Sequence, residues 1–248
     1  MKLFDPDKPI FKGNLHTHST KSDGRLSPEE VVALYKAHGY DFLALTDHWC
    51  VGEERSYKGM LVLPGIEMDA MLEREAVHIV GVGVTPSLPE RVQHPDIPQR
   101  YVDAIREDGG LAILCHPLWS LNTLQTVASL RGIAATEVYN SFSGVPWNSA
   151  RSDASAFLDV AASAGWMTPL VASDDSHKYT GEACLSYTCV QADDLTTSAL
   201  LSGIRKGALY ASQGPAFTQI TYENDVIEVE CSPVASIVFY SNLVWVRD

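Results

Sequence analysis

Two histidines stand at i and i+2 in Asn14-Leu15-His16-Thr17-His18-Ser19, shortly before Ser22-Asp23-Gly24. At the end of a β-strand, such a pair points to one face. Two imidazole nitrogens on one face suit a divalent transition metal. A single pair is a weak sign, and its force here comes from repetition. His48 follows Asp47, Glu67 follows Pro64-Gly65-Ile66, and His78 lies inside an apolar run. His116 precedes Pro117, and His177 ends Ser173-Asp174-Asp175-Ser176-His177. Carboxylates recur in the same kind of place: Asp23, Asp47, Glu67, Glu137, Asp174 and Asp175. Buried imidazoles and carboxylates are costly without compensation, and bound cations remove that cost. Of the eight histidines, the other two read differently. His38 continues a helix face and His94 lies in a Pro-flanked loop, so both read as packed or solvated.

Nitrogen and oxygen donors exclude a thiolate site and fit Zn, Mn or Fe. The donors outnumber the roughly four that a four-coordinate ion uses, so two or three divalent ions are expected. Cys50 and Cys115 sit near His48 and His116 but read as small buried hydrophobes.

The elements that must position these residues alternate. Ser27, Pro28 and Glu30 make a helix start with a capping box. Val31, Leu34, Tyr35 and His38 follow at helical spacing, and Gly39 is the stop. The apolar run 42–46 is a strand ending at Asp47-His48. Further strands are expected at 61–63, 76–82, 111–115, 135–140 and 169–172. Helices are expected at 101–107, 121–130 and 150–164, the last with Ala154, Phe157, Leu158 and Ala161 on one face. This alternation predicts a (β/α) barrel or an open doubly wound sheet. No glycine-rich phosphate loop follows the first strand, which counts against a dinucleotide fold. Metal-competent residues past the strand ends match the catalytic face of a barrel. Asp194 is the expected cap of a last helix ending near Lys206-Gly207. Beyond it, strands are expected at 217–222, 226–230 and 237–240, the last continuing to Val246. The division expected is a barrel over 1–207 and a β-rich appendage over 208–248.

The chain has 248 residues, 46% hydrophobic and 20% charged, with a net charge of −13. That balance argues against binding nucleic-acid duplexes or anionic membranes, because nothing broad and basic is present to neutralise phosphates. Five cysteines without zinc-knuckle spacing fit a reducing compartment. No apolar signal or membrane span is apparent, so a cytoplasmic protein is expected. Homo-oligomerisation is compatible with all of this.

His16-x-His18 with Ser22-Asp23-Gly24, Thr46-Asp47-His48, Pro64-Gly65-Ile66-Glu67, His78, His116-Pro117 and Asp175-x-His177 resemble, in this order, the motif set of the PHP (polymerase and histidinol phosphatase) metallohydrolases. Glu137-Val138-Tyr139-Asn140, 207–211 and Gly214-Pro215 resemble the branch that includes carbaryl hydrolase-type enzymes. The resemblance implies a distorted seven-stranded (β/α) TIM-like barrel with a trinuclear centre. In that pattern His16, His18, Glu67 and Asp175 hold one ion. Glu67 bridges to a second ion held by His78 and His116, and Asp23, His48 and His177 hold the third. Asp23 stands where some members have histidine.

Asp47 and Asp174 are expected to orient metal-bound imidazoles or to accept protons. Asn140, Tyr139, Arg25, Arg151 and Lys178 are candidate substrate contacts, and Glu137 belongs with the same supporting group. The reaction expected is hydrolysis of a small phosphorylated substrate, such as a nucleotide or sugar phosphate, by cation-activated hydroxide. Asp175, His177 and His48 are the candidates for catalytic proton transfer. Two alternatives remain. One is attack on a carboxyl or carbamate ester or an amide by the same site. The other is a metal-binding interaction protein without turnover, with the C-terminal β segment as partner surface.

Overall fold

Apolar runs and capped helices alternate along the chain, and the computed structural model, which describes residues 2–241, builds them accordingly. The chain opens with β1 (Lys2–Phe4) and β2 (Ile10–Asn14). Helix α1 (Pro28–Ala37) starts on the expected reciprocal cap between Ser27 and Glu30. It buries Val31, Val32 and Tyr35, while His38 stays exposed. β3 (Phe42–Leu45) is buried at every residue, as a strand covered on both faces must be. β4 (Arg55–Tyr57) and β5 (Met60–Leu72) form a hairpin through Lys58-Gly59, both at positive φ. β6 (Glu75–Val82) turns back along β5.

The second half repeats strand and helix: α2 (Pro98–Glu107), β7 (Leu111–Leu114), α3 (Leu124–Ser129), β8 (Ala135–Asn140), α4 (Ser155–Ser163) and β9 (Leu170–Ser173). Then come β10 (Tyr187–Gln191), α5 (Thr197–Arg205), β11 (Leu209–Ser212), β12 (Phe217–Glu223) and β13 (Val226–Cys231).

One large sheet runs β11-β10-β2-β3-β5-β6-β7-β8-β9 with β4 on β5. β2, β3 and β5 are parallel, as are β7, β8 and β9. β6 is antiparallel to both its neighbours. The sheet curls until its ends nearly meet. At the rim, Asp175 N–H donates to His16 O at 2.9 Å and His18 N–H to Ser176 O at 3.1 Å. Lower down, Thr188 Oγ1 accepts from Ala172 N–H and donates to Ala172 O, tying β10 to β9. The result is a mixed, distorted barrel of the expected class. Its interior is filled by Leu15, Phe42, Ala44, Leu63, Val80, Ile113 and their neighbours. Gly13 is required by this packing, because a Cβ there would lie 2.1 Å from the Phe42 ring.

Several expectations need correction. Glu67 is not at a strand end but inside β5, which runs on to Leu72 because β6 pairs with it. Helix α4 begins at Ser155, since 150–154 form an irregular segment with Ala150 at φ +53°. α3 is shorter than 121–130 because Thr123 caps it. Thr196, not Asp194, caps α5, accepting from Ala199 N–H. β11 pairs with β10 in the large sheet, so the appendage begins after it rather than at 208. That appendage is a three-stranded sheet, β1-β12-β13. β1 takes the edge of β12, and 237–240 form no strand; Val246 lies outside the described residues. Phe4 packs edge-on to Tyr210, and Tyr210 to Phe217, which stitches the small sheet to β11. The cysteines among the described residues are all free, and no described helix is long and apolar enough to cross a membrane.

Candidate metal centre

Six strands deliver one or two donors each to the rim. His16 and His18 lie just beyond β2, His48 beyond β3 and His116 beyond β7. Asp175 and His177 lie beyond β9, whereas Glu67 and His78 project from within β5 and β6. Asp23 comes from the loop after His18. Gly24 permits that loop, since a Cβ there would sit 2.6 Å from the His18 carbonyl group. Backbone cannot rotate away as a side chain can. Gly24→Ala is therefore expected to displace Asp23 and remove one ion per chain while sparing the others. Elemental analysis of the two proteins, loaded identically, checks this; equal metal content would refute it.

Nine donor residues fall into three contiguous clusters. In the first, His16, His18, Glu67 and Asp175 are all deeply buried. Glu67 Oε2 lies 3.1 Å from His16 Nε2 and 3.0 Å from His18 Nε2. Asp175 Oδ1 lies 3.2 Å from each of the same nitrogens. A tetrahedral ion with ligands at about 2.0–2.1 Å has ligand–ligand edges of about 3.3–3.4 Å, so this spacing fits one ion. Asp175 Oδ1 is moreover a buried oxygen without a hydrogen-bond partner, as an acceptor aimed at a cation would be.

In the second cluster, Glu67 Oε1 faces His78 Nδ1 at 2.7 Å and His116 Nε2 at 3.4 Å. Glu67 is thus shared between two clusters. The third is wider and more open. Asp23 Oδ2 is 3.3 Å from His177 Nε2 and 4.0 Å from His48 Nε2, and the Asp23 side chain is 55% exposed. Among the described residues the donor geometry also groups His16 with Cys115 and Glu137. That group shares His16, and burial pushes the Cys115 thiol up, away from the thiolate a metal needs.

A second layer fixes the first. Glu137 Oε1 bonds His16 Nδ1 at 2.9 Å, and its Oε2 accepts from His116 N–H and Asn140 Nδ2. Asn140 also donates to Asp175 Oδ2 at 3.2 Å and accepts from Ser143. Asn140 is 1% exposed and its amide is engaged by Glu137, Asp175 and Ser143, so it ties the two carboxylates together. Ser120 Oγ bonds His116 Nδ1, and Asp175 O bonds His177 Nδ1.

The expectation that Asp47 and Asp174 orient imidazoles fails, because no imidazole is among their hydrogen-bond partners. Asp47 accepts from Ser19 and Ser22, pinning the loop that presents Asp23. Asp174 is completely buried and gathers donors from Asn14, Tyr35, Ser141, Cys184, Leu185 and Ser186. Of the other candidate contacts, Arg25 and Arg151 are exposed, while Tyr139 and Lys178 are half-buried.

Strain concentrates here as well. His116 has φ +25° and Asp175 φ +54°, both left-handed for residues with a Cβ. Such conformations cost about 1–3 kcal/mol each and persist only where the surroundings impose them. The charges are strongly coupled. Burial opposes charge on His16 and His18, but the facing carboxylates outweigh it, and His18 is lifted to about 9. Against the same burial, His16 and its neighbours hold Glu67 and Asp175 below the usual carboxylate range. Burial keeps His48 down. Protons and cations therefore compete for one set of atoms.

Aromatic rings flank the rim, and nothing in the spacing of the ligands announced them. Phe142 stacks on His177 at 4.4 Å, and Trp147 meets Phe142 edge-on at 5.4 Å. Trp119 packs edge-on against His116 at 5.0 Å. Their positions after Asn140 and His116, in strand-to-helix loops, were the available signal.

No family model matches the chain. Sequence similarity is local. A 3′,5′-nucleoside bisphosphate phosphatase of Chromobacterium violaceum is 40% identical over 82 residues, covering 31% of this chain and 29% of that protein. A 5′-3′ exoribonuclease of Haemophilus influenzae is 38% identical over 85 residues, 32% of this chain and 31% of that protein. The matches thus span less than a third of each relative's length. In three dimensions the likeness is broader. A two-domain protein of Bacteroides vulgatus, described as containing a predicted PHP-like metal-dependent phosphoesterase, superposes with a TM-score of 0.57 at 16% identity, covering 84% of this chain and 66% of that one. At that identity the likeness is one of fold: the chain is built like that PHP-like protein.

Proposed function

We propose that the chain is a metal-dependent phosphoesterase acting on a small phosphorylated substrate. The observation that carries this is Glu67, a buried carboxylate shared between two donor clusters on one rim with a third beside them. His16, His18, Glu67 and Asp175 hold one divalent ion in this reading. Glu67, His78 and His116 hold a second, and Asp23, His48 and His177 a third. Bound cations supply Lewis acidity toward phosphoryl oxygens and a lowered pKa for water. The protein's own part is to fix their spacing, through Glu137, Asn140, Ser120 and the strained backbone at His116 and Asp175. His48, with a side chain 27% exposed, lies on the more open side of the rim, and His177 beside it is 10% exposed. In this reading they hand a proton to the leaving oxygen, with Asp175 against His177. The nitrogen and oxygen donors suit Zn, Mn or Fe.

The relatives with local similarity are named for phosphoester cleavage, which supports the reaction class. A net charge of −13 supports a small substrate over a long polyanion, because only the cations offset phosphate charge. Phosphate release from a panel of phosphomonoesters and diesters, with Mn²⁺, Zn²⁺ or Fe²⁺, tests the proposal. Turnover of at least one small phosphoester, abolished by chelation, is expected. Inactivity on all of them, with cleavage of carboxyl or carbamate esters instead, would overturn it.

A further inference from the structure

We infer that Trp147 is a stacking platform for the base of a nucleotide substrate, so that the phosphoryl group meets the metal rim while the base rests on the indole. This rests on the phosphoesterase reading above and specifies its substrate. Trp147 is 62% exposed, a large apolar ring left in water. Single exposed apolar residues are common and mean little. What sets this one apart is its attachment. Two ring contacts, of 5.4 and 4.4 Å, link it through Phe142 to His177, a donor of the third cluster. That cluster is the most open of the three, with Asp23 and His48 partly exposed. The sugar of a nucleoside monophosphate spans a comparable gap between its phosphate and its base.

The loop is also held still. Residues 142–148 form two consecutive 3₁₀ turns. Asn148 donates through Nδ2 to Phe142 O at 3.0 Å and accepts from Trp119 Nε1 at 3.0 Å, joining the loops after β8 and β7. Arg151 N–H closes the loop on Ser143 O at 2.7 Å. A ring immobilised before binding costs little entropy when a ligand stacks on it. Every base offers a π-face to such a ring. Arg151, exposed where this loop closes, is a further cationic residue on the same segment.

Kinetics of the Mn²⁺-loaded protein with adenosine 5′-monophosphate and ribose 5-phosphate test this. Trp147→Ala should raise KM for the nucleotide by about 5- to 100-fold, the range of one base–aromatic stack. KM for ribose 5-phosphate should not change, and Trp147→Phe should restore nucleotide KM. Equal changes for both substrates, or none for the nucleotide, would overturn the inference. Tryptophan fluorescence separates this from failure of the underlying reading. Nucleotide should quench wild-type emission, and the quenching should be lost in Trp147→Phe. If neither ester is hydrolysed but that pattern holds, the phosphoesterase reading falls and the platform stands. Quenching that is absent, or identical in the two proteins, overturns the platform.

Discussion

Glu67→Gln is expected to lower turnover by on the order of 10³-fold or more and to reduce bound metal. Glu67 Oε1 faces His78 and His116, and Oε2 faces His16, His18 and His48, all within 3.5 Å. Among the described residues, no other side chain meets five imidazoles. The amide oxygen of Gln is a poorer ligand, and its NH₂ would oppose ring nitrogens. Metal ions supply several kcal/mol of transition-state stabilisation, and each 1.36 kcal/mol is tenfold in rate. Full metal content with near-normal turnover would refute the assignment. The metal-free protein gives a second measurement. His18 titrates at about 9 in the fold, against about 6.5 when unfolded. Its pairing with Asp175 and Glu67 therefore stabilises fully below pH ~6.5 and is lost as pH rises through 9. Glu67, held low, contributes above its unfolded value of about 4.3 and loses that contribution as pH falls. The melting difference between chelator-treated wild type and Glu67→Gln should be largest between those limits.

Much of this centre is legible in the chain because its donors punctuate apolar runs. A strand end places His16, His48, His116 and Asp175 on one rim wherever the parallel order is kept, and the order needs only the alternation of strand and helix. Glu67 was legible as a candidate donor but not in its place. Its strand continues for five residues beyond it because β6 supplies a partner, and single-sequence patterns do not announce who pairs with whom. The same blindness hid β1, three residues long, which pairs with β12 more than 200 residues away. Asp47 and Asp174 show a different limit. Adjacency to a ligand says a carboxylate is near; it does not say which way it points. Asp47 turns to two serines and Asp174 to the core beneath the rim.

Asp174→Ala is expected to be the most damaging substitution outside the donor set. Its carboxylate accepts from Asn14 Nδ2, Tyr35 OH and Cys184 N–H on Oδ2, and from Ser141 Oγ, Leu185 N–H and Ser186 N–H on Oδ1. These donors come from β2, α1, the end of β8 and the segment entering β10, so one side chain binds four parts of the barrel. Alanine leaves them buried without an acceptor, at about 1–3 kcal/mol for each that cannot find another partner. Such losses do not add, since neighbours relax, yet a net cost of about 4 kcal/mol or more follows. For a chain of this size, that lowers Tm by roughly 8–16 °C. The effect reaches the metals through the next residue. Asp175 keeps its left-handed φ of +54° because the backbone on both sides is pinned, by Asp174 below and by the Asp175 N–H bond to His16 O above. Released, it can relax toward an ordinary conformation and withdraw Oδ1 from the first cluster. Asp174→Asn keeps volume and one acceptor oxygen, so it should fall between wild type and alanine in both melting temperature and metal content. If the alanine variant melts within a few degrees of wild type and binds its full complement of metal, Asp174 is not the anchor of this rim.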